Sequence, residues 1–395
     1  LITELTQSKN IIIKSNTHSL RKKPYVNYIL SGSLTELKEK KEYRFDYRLI
    51  NAKNGIVKKS GIIRRENRNN ENFPESLTKK IVSEVRNKIF WQLKYKFTGH
   101  KDRISAAAYF SEKSLLASGS VDGELYVKNI ETGKTKYKFN KNKSISDIDF
   151  SPNGRFLLFA DYNKVEIQDL KNNKLYHDIR KGASVVEYSN NTNKIFVSTG
   201  IKIINPETGE IETKFEKSES VPILATASFS SDDSLIFTGS ENYSMGVGMV
   251  TDGDVPDRGD TAYVWDTKTG KIKYHLDQHT GKEDVQASEF SPDDKMLLTG
   301  TSDGTAMVFN MENGKLITKF NGHSSGVTEV TFSADGDFVI TGSEAGKIKV
   351  WDPKTGEIIK NPVQRDSSVK SIEISDDNKL VITAFARDGV LVWKR

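Results

Sequence analysis

Cysteine is absent from this sequence of 395 residues, so disulfides, thiolate zinc sites and a cysteine nucleophile are excluded. Long apolar runs are absent as well, because no stretch approaches the roughly 20 apolar residues that a membrane-spanning helix needs. Basic residues exceed acidic ones only by 59 to 53, and the two signs are interspersed. The composition therefore predicts a globular protein with no transmembrane segment and no nucleic-acid partner.

Motifs of the common catalytic sites are also missing. The sequence contains no grouping typical of a Ser-His-Asp triad, no Walker loop and no HExxH. His275 and His279 are four residues apart, but they lie in "KYHLDQHTG", a strand that runs into a loop. That geometry does not bring both imidazoles onto one metal ion. We expect no catalytic residues, and hence no enzyme.

What the sequence does contain is a repeat of about 40 residues that recurs from residue 95 to the end. Two clear copies are "VTEVTFSADGDFVITGSEAGKIKVWDPKTGEI" (327–358) and "VQASEFSPDDKMLLTGTSDGTAMVFNMENGKL" (285–316). Each copy predicts four strands of alternating polarity, joined by Asp-, Asn- and Gly-rich turns. A single four-stranded sheet cannot bury its apolar face, whereas copies stacked around an axis bury both faces.

Seven copies predict a mainly β fold, a seven-bladed β-propeller over residues 91–395. The last copy ends after its third strand, and "WQLKYKF" (91–97) precedes the first copy without a partner. We therefore expect strand 91–97 to complete the last blade and close the ring, which leaves no open sheet edge.

The repeat resembles the WD-repeat family, since "TGH" (98–100) and "NGH" (321–323) look like its Gly-His signature, and "VWD" (264–266, 350–352) and "VW" (392–393) like its Trp-Asp signature. The resemblance implies a stabilising hydrogen-bond network within each blade. Its predicted members are His100, His323, Trp265, Trp351, Trp393 and the turn residue Asp260. Lys128 and Phe309 stand where the family has tryptophan, and Ala345 stands where it has aspartate.

Residues 1–90 follow a different pattern, predicted as helix, four strands and helix. The segments "LITELTQSKNIIIKS", "VNYILSGSL" and "YRFDYRLINAKNGIV" resemble the N-terminal α/β domain of the TolB-like group. The first strand of that domain is expected upstream of Leu1. A TolB-like domain before a propeller is the order found in periplasmic TolB, so the resemblance implies a bacterial, periplasmic or envelope-associated protein, with the cytoplasm as the alternative.

One hairpin of the fourth blade contains an insertion, residues 241–258. Long loops on a rigid scaffold are where binding sites concentrate, so this loop is predicted to bind a protein partner or a neighbouring subunit. The expected apolar contacts are Tyr243, Met245, Val247, Met249 and Val250. A calcium site at 252–257 stays open as an alternative, with Asp252, Asp254 and Asp257 as ligands.

The predicted function is a non-enzymatic protein-interaction scaffold without a cofactor, whose partner is another protein or a further subunit of a homo- or hetero-oligomer. One alternative is a self-assembling component of a cell-envelope complex. A second is a metal-dependent enzyme that uses the central channel of the propeller. Its candidate residues lie on the innermost strands: Asp147, Asp149, Glu187, Glu289, Glu329 and Glu373.

Overall fold

A computed structural model describes four strands between residues 10 and 66, and residues 92–161, 163–179, 182–216, 223–240, 262–279 and 284–394. The chain divides into two compact units, Leu1–Phe90 and Trp91–Arg395. Within the described ranges no helix is long and apolar enough to cross a membrane.

The first unit contains an antiparallel sheet in the order β1-β2-β3-β4. Its strands are β1 (Asn10–Lys14), β2 (Tyr28–Leu37), β3 (Glu42–Asn51) and β4 (Val57–Glu66). They coincide with the four strand segments of the sequence. The two helices predicted for this unit fall outside the described residues, and its α/β character stays a prediction.

The second unit is a seven-bladed β-propeller, which confirms the predicted fold. Each blade is a four-stranded antiparallel sheet, and the blades follow one another along the chain. The strands of blades 1 to 3 are β6 (Ile104–Phe110), β7 (Leu115–Ser120), β8 (Glu124–Asn129), β9 (Thr135–Asn140), β10 (Asp147–Phe150), β11 (Phe156–Ala160), β12 (Val165–Asp169), β13 (Lys174–Ile179), β14 (Val186–Tyr188), β15 (Ile195–Val197), β16 (Lys202–Ile204) and β17 (Ile211–Lys214).

The strands of blades 4 to 6 are β18 (Leu224–Phe229), β19 (Leu235–Ser240), β20 (Ala262–Asp266), β21 (Ile272–His275), β22 (Val285–Phe290), β23 (Met296–Thr301), β24 (Ala306–Asn310), β25 (Leu316–Phe320), β26 (Val327–Phe332), β27 (Val339–Ser343), β28 (Lys347–Trp351) and β29 (Ile358–Gln364). A single 3-10 turn, Ser111–Lys113, interrupts blade 1 between its first two strands.

Blade 7 combines the two ends of this unit. Its strands are β30 (Val369–Ile374), β31 (Leu380–Phe385), β32 (Gly389–Lys394) and, from the start of the unit, β5 (Gln92–Phe97). Strand β5 pairs antiparallel with β32, so that Val390 lies opposite Phe97 and Lys394 opposite Gln92. The backbone groups of β32 that would form an open edge are thereby paired.

The hydrophobic core lies between blades, because each buried cluster combines residues of two adjacent blades. The cluster between blades 7 and 1, for example, packs Ile104 and Leu116 against Ala384, Val390 and Val392. Equivalent clusters join every other adjacent pair. A blade therefore has no core of its own, as expected for a repeat that buries its faces only against its neighbours.

The glycine of the repeated Ser/Thr-Gly-Ser/Thr segment permits this close packing. A Cβ atom at Gly342 would lie 2.6 Å from Cγ1 of Val369, on the first strand of the next blade. At Gly300 it would lie 2.6 Å from Cγ1 of Val327. Both distances are shorter than van der Waals contact, so a larger residue would push the blades apart.

Candidate functional site

The first strands of the blades surround a central channel with a cavity of about 790 Å³. Five of the six carboxylates that the sequence assigns to this channel line the cavity: Asp147, Asp149, Glu187, Glu329 and Glu373. The sixth, Glu289, interacts electrostatically with Glu187, Glu329 and Glu373. Lys370 is the one basic residue on the cavity wall within the described ranges, so the channel is strongly acidic.

Four of these carboxylates accept hydrogen bonds from the backbone of the following blade. The innermost strand of a blade pairs on one side only, so every second N–H is left without a partner in its own sheet. Val186 N–H donates to Asp147 Oδ2 at 2.9 Å, and Tyr188 N–H donates to Asp149 Oδ2 at 2.7 Å. Both acceptors belong to blade 2 and both donors to blade 3, so the two blades are joined at the channel wall.

The same contact recurs further around the ring. Phe229 N–H of blade 4 donates to Glu187 Oε1 at 3.0 Å, and Phe332 N–H of blade 6 donates to Glu289 Oε2 at 2.6 Å. The acidic residues of the innermost strands therefore connect adjacent blades. This structural use is a reason for their presence that requires no catalysis.

Burial and mutual repulsion raise the pKa of these carboxyl groups. Burial raises the pKa of Asp147, Asp149 and Glu289 to about 7. It raises the pKa of Glu373 to about 8, helped by the charges of Glu289 and Asp149. The pKa values of Glu187 and Glu329 rise well above the usual range, chiefly through burial and then through neighbouring carboxylates. These carboxyl groups therefore hold their protons to a higher pH than exposed carboxyl groups do.

The channel carboxylates do not converge on a common point. Among the described residues, the one group with three potential ligand atoms within 4.8 Å of one another is His100, Asp122 and Glu124 in blade 1. Glu124 already binds Lys138 Nζ at 3.0 Å and the Tyr126 hydroxyl at 3.0 Å. His100 Nε2 is 2.8 Å from Ser118 Oγ. Existing partners thus account for most of these ligand atoms.

Blade 6 contains the complete buried network of histidine, threonine and tryptophan. Thr341 Oγ1 lies 2.8 Å from His323 Nε2 and accepts a hydrogen bond from Trp351 Nε1 at 3.2 Å. Burial lowers the pKa of His323 to about 3, with Lys349 and Lys347 acting in the same direction, so the imidazole is neutral at physiological pH. Nε2 of a neutral imidazole can accept a hydrogen bond from the threonine hydroxyl, while the threonine oxygen accepts a hydrogen bond from the indole N–H.

Other blades contain parts of this network. Trp265 Nε1 donates to Thr238 Oγ1 at 2.8 Å, and Trp393 Nε1 donates to Thr383 Oγ1 at 2.9 Å. In blade 1 the His100–Ser118 pair remains, and Lys128 takes the place of the tryptophan. Each of these pairs lies within a single blade.

Sequence reasoning missed one member of this set. His279 is 1% exposed, and its Nε2 lies 3.1 Å from Thr299 Oγ1 in blade 5. Its position 20 residues before that threonine was the available signal, because His100 and His323 each precede their hydroxyl partner by 18. Gln278 stands where the Gly-His signature has glycine, so the sequence pattern did not reveal His279 as an equivalent of His100 and His323.

Two aspartates in the turns between the first and second strands of their blades form hydrogen bonds across blade boundaries. Asp233 of blade 4 accepts hydrogen bonds from the backbone N–H groups of Asn190, Asn191 and Thr192 in blade 3. Asp294 of blade 5 likewise accepts Ser231 N–H of blade 4 at 2.7 Å. The preceding residues Asp232 and Asp293 accept hydrogen bonds within their own turns, whereas Asp233 and Asp294 connect two blades.

The residues predicted for the inserted hairpin lie outside the described part of the chain. These are the apolar candidates Tyr243, Met245, Val247, Met249 and Val250, the calcium candidates Asp252, Asp254 and Asp257, and the turn residue Asp260. The flanks of the insertion are described. Strand β19 ends at Ser240, β20 begins at Ala262, and Gly239 lies opposite Ala262. The blade is continuous on both sides of the loop.

Comparison with protein families identifies the repeat. Residues 270–310 and 314–352 match the model of the "WD domain, G-beta repeat". The chain carries WD40 repeats. Residues 107–193 match the "Anaphase-promoting complex subunit 4 WD40 domain". Thus WD40 matches fall in both the first and the second half of the propeller.

Known proteins similar to this WD40 chain include three from plants. The chain is 33% identical to small ribosomal subunit protein RACK1y of Oryza sativa subsp. japonica over 89 residues, 22% of this chain and 26% of that protein. It is 30% identical to RACK1z of Arabidopsis thaliana and 28% identical to RACK1 of Medicago sativa, each over 22% of this chain and 27% of the relative. The match spans about a quarter of each relative's length.

These relatives overturn the location predicted from the first ninety residues. The expected periplasmic or envelope-associated location is wrong, because the similar proteins are small ribosomal subunit proteins of plants. Neither matching family model belongs to the TolB-like group or to the bacterial envelope. The order of domains alone was too general a feature to carry that inference.

Proposed function

We propose that this protein is a non-enzymatic interaction scaffold whose propeller binds a protein partner or a neighbouring subunit. The WD40 repeats support this function, since such propellers are typical of interaction scaffolds. The main support comes from the hydrogen bonds that the channel carboxylates accept. Four of the six accept backbone N–H groups across blade boundaries, and the six do not form a group of ligand atoms close enough for a metal ion among the described residues.

The partner surface includes the inserted loop of blade 4. In blade 1, residues 121–123 suffice to join the second strand to the third, whereas residues 241–261 make the same connection in blade 4. The paired flanks allow the loop to be long without cost to the blade. The apolar residues Tyr243 to Val250 would supply the contact area, and the calcium site at 252–257 remains the alternative use of the loop.

Assembly into a larger complex is the second candidate function. The names of the similar plant proteins assign them to the small ribosomal subunit, and the share of their length that is matched limits what carries over to this chain. We carry over only the class of behaviour, a propeller built into a multi-component assembly. For residues 1–90 we propose the TolB-like α/β domain predicted from the sequence, with the described four-stranded sheet as its strand layer.

Affinity capture from a lysate of the source organism tests the role of the loop. The wild-type chain is compared with a variant in which residues 243–256 are deleted and with one whose five apolar loop residues are changed to serine. Loss of the same partner from both variants, at unchanged melting temperature, is expected. Equal recovery of all partners by the three proteins would exclude the loop, and mass measurement in solution would identify self-assembly.

A further inference from the structure

The outermost strand of each blade is an edge of its sheet, because it is paired on one side only. In all seven blades the register between this strand and its neighbour shifts at a β-bulge, which leaves one residue of the outer strand opposite no residue of the sheet. From blade 1 to blade 7 these bulge residues are Lys136, Tyr176, Glu212, Lys273, Ile317, Ile359 and Lys94. The same position on the outer rim can therefore be compared between blades.

Most of these edges contain a residue that discourages pairing with another chain. Charged side chains, lysine above all, and proline have this effect on an edge strand. Lysine is the bulge residue in blades 1, 4 and 7, and in blade 3 it is a glutamate that binds Lys194 at 2.9 Å. The outer strand of blade 6 contains Pro362. In blades 2 and 5 the bulge residue is instead a large, partly exposed hydrophobic one, since Tyr176 is 42% exposed and Ile317 40%.

The charges around the bulge distinguish these two blades. Two residues before and after Tyr176 stand Lys174 and Asp178, both exposed. The corresponding residues around Ile317 are both exposed lysines. If two copies of a strand pair antiparallel about a two-fold axis at the bulge residue, the residue two positions before it lies opposite the residue two positions after it in the other copy. Strand β25 would then bring lysine against lysine, whereas β13 brings Lys174 against Asp178 twice.

The centre of the β13 edge is apolar and held in place. Leu175, next to Tyr176, is 49% exposed. The ring of Tyr176 packs against Phe156 of the same blade, with 4.7 Å between the ring centroids. The guanidinium of Arg155 lies over the Phe156 ring at 4.8 Å from its centroid. A tyrosine that is already held by a neighbouring ring loses little conformational freedom when a partner covers it.

We propose that β13 (Lys174–Ile179) is a contact between two copies of this chain, which pair edge to edge about a two-fold axis at Tyr176. The two Tyr176 rings meet at the axis, and Lys174 of each copy pairs with Asp178 of the other. Such a contact uses the same surface of both copies, so it closes as a dimer. The proposal rests on the binding of a neighbouring subunit proposed above and assigns it to a surface other than the inserted loop.

Measurement of the mass of the full chain by light scattering, over a range of concentrations, tests this contact. We expect the wild type to approach twice the mass of one chain as its concentration rises. Lys174→Asp and Asp178→Lys each bring like charges against each other, so each variant alone should dimerise at least about tenfold more weakly. The two variants mixed in equal amounts should form a mixed dimer, because an edge with two acidic residues then meets an edge with two basic ones.

Lys96→Asp is the matched control, since it makes the same change of charge at an exposed position on β5, the outer strand of blade 7. This variant should dimerise like the wild type. The mixing experiment also shows that the two single variants are folded, because a misfolded edge would not pair.

Three results would overturn the proposal: a wild type that stays monomeric at every concentration, a Lys174→Asp variant that dimerises as well as the wild type, or a mixture of the two variants that stays monomeric. The capture experiment with the deleted loop does not involve β13. A failure here therefore leaves the binding of a protein partner through the loop standing.

Discussion

Blade 6 has strands of five to seven residues and a buried network of His323, Thr341 and Trp351. The strands of blade 3 have three or four residues. Its described residues, 182–216, include neither histidine nor tryptophan. Both blades nevertheless have the same four-stranded order. The difference lies in where the stabilising contacts come from.

Blade 3 is held by its neighbours on both sides. Asp147 and Asp149 of blade 2 accept two of its backbone N–H groups at the channel. Asp233 of blade 4 accepts three more at the turn between β14 and β15. Blade 6 receives two such contacts, from Glu289 of blade 5 to Phe332 N–H and from Asn378 of blade 7 to Ala334 N–H, and it also connects its own strands through buried side chains. A closed ring thus allows a weak repeat to persist, because contacts across the blade boundaries replace those within it.

The largest loss of stability is expected for Asp233→Gly, which removes the hydrogen bonds that blade 4 makes to the turn of blade 3. Glycine occupies the same turn position in blades 2 and 6 as Gly154 and Gly336, both with positive φ, so the backbone conformation is retained. Three hydrogen bonds to a charged acceptor are lost, and we expect the free energy of unfolding to fall by about 2–4 kcal/mol. Urea denaturation gives the total, and hydrogen exchange at Asn190 to Thr192 gives the local effect.

Asp294→Gly is the matched control for that experiment. Asp294 connects blades 5 and 4 in the same way, with Ser231 N–H at 2.7 Å and the Ser231 hydroxyl at 2.6 Å. Blade 4 also contains the buried Trp265–Thr238 pair. The loss should therefore be smaller than for Asp233. Equal losses in the two variants would show that blade 3 is no more dependent on its neighbours than blade 4.

The next largest effect is expected for Thr341→Val in blade 6. The change keeps the shape but leaves His323 Nε2 and Trp351 Nε1 buried without their shared partner. We expect a loss of about 2 kcal/mol in the free energy of unfolding. Thr355→Val, in an exposed turn of the same blade, is the control. If the free energy of unfolding falls no more for Thr341→Val than for Thr355→Val, the network does not stabilise blade 6.

The sequence predicted the propeller because each repeat carries its own turn and strand signals. "SADG" and "SPDD" specify the first hairpin of a blade from a few residues, whatever the rest of the chain does. It could not predict the partners of Asp233 or Asp149, since these belong to other blades, and the identity of a partner depends on how the ring closes. The predicted TolB-like domain relied on the resemblance of three segments to that group, and its two predicted helices fall outside the described residues.

The smallest effect on stability is expected at two glutamates that line the channel, one in blade 3 and one in blade 6. Glu187 of blade 3 accepts Phe229 N–H, whereas for Glu329 of blade 6 burial and neighbouring charges are the causes that act on its pKa. The pKa of each rises well above its usual value in the folded state, chiefly through burial. Above the usual pKa of glutamate such a group destabilises the fold, so stability falls as pH rises through the raised pKa.

Glu329→Gln removes the charge without removing a hydrogen bond. At pH 8 it should raise the free energy of unfolding by about 1 kcal/mol, and at pH 5 the gain should shrink, because Glu329 is then protonated in the folded state. Glu187→Gln should gain less at pH 8, since its amide oxygen is a weaker acceptor than a carboxylate for Phe229 N–H. Urea denaturation at both pH values measures the two gains. A Glu329→Gln gain that does not change between pH 8 and pH 5 would mean that the carboxyl group of Glu329 titrates like one at the surface, and burial in the channel would then not raise its pKa.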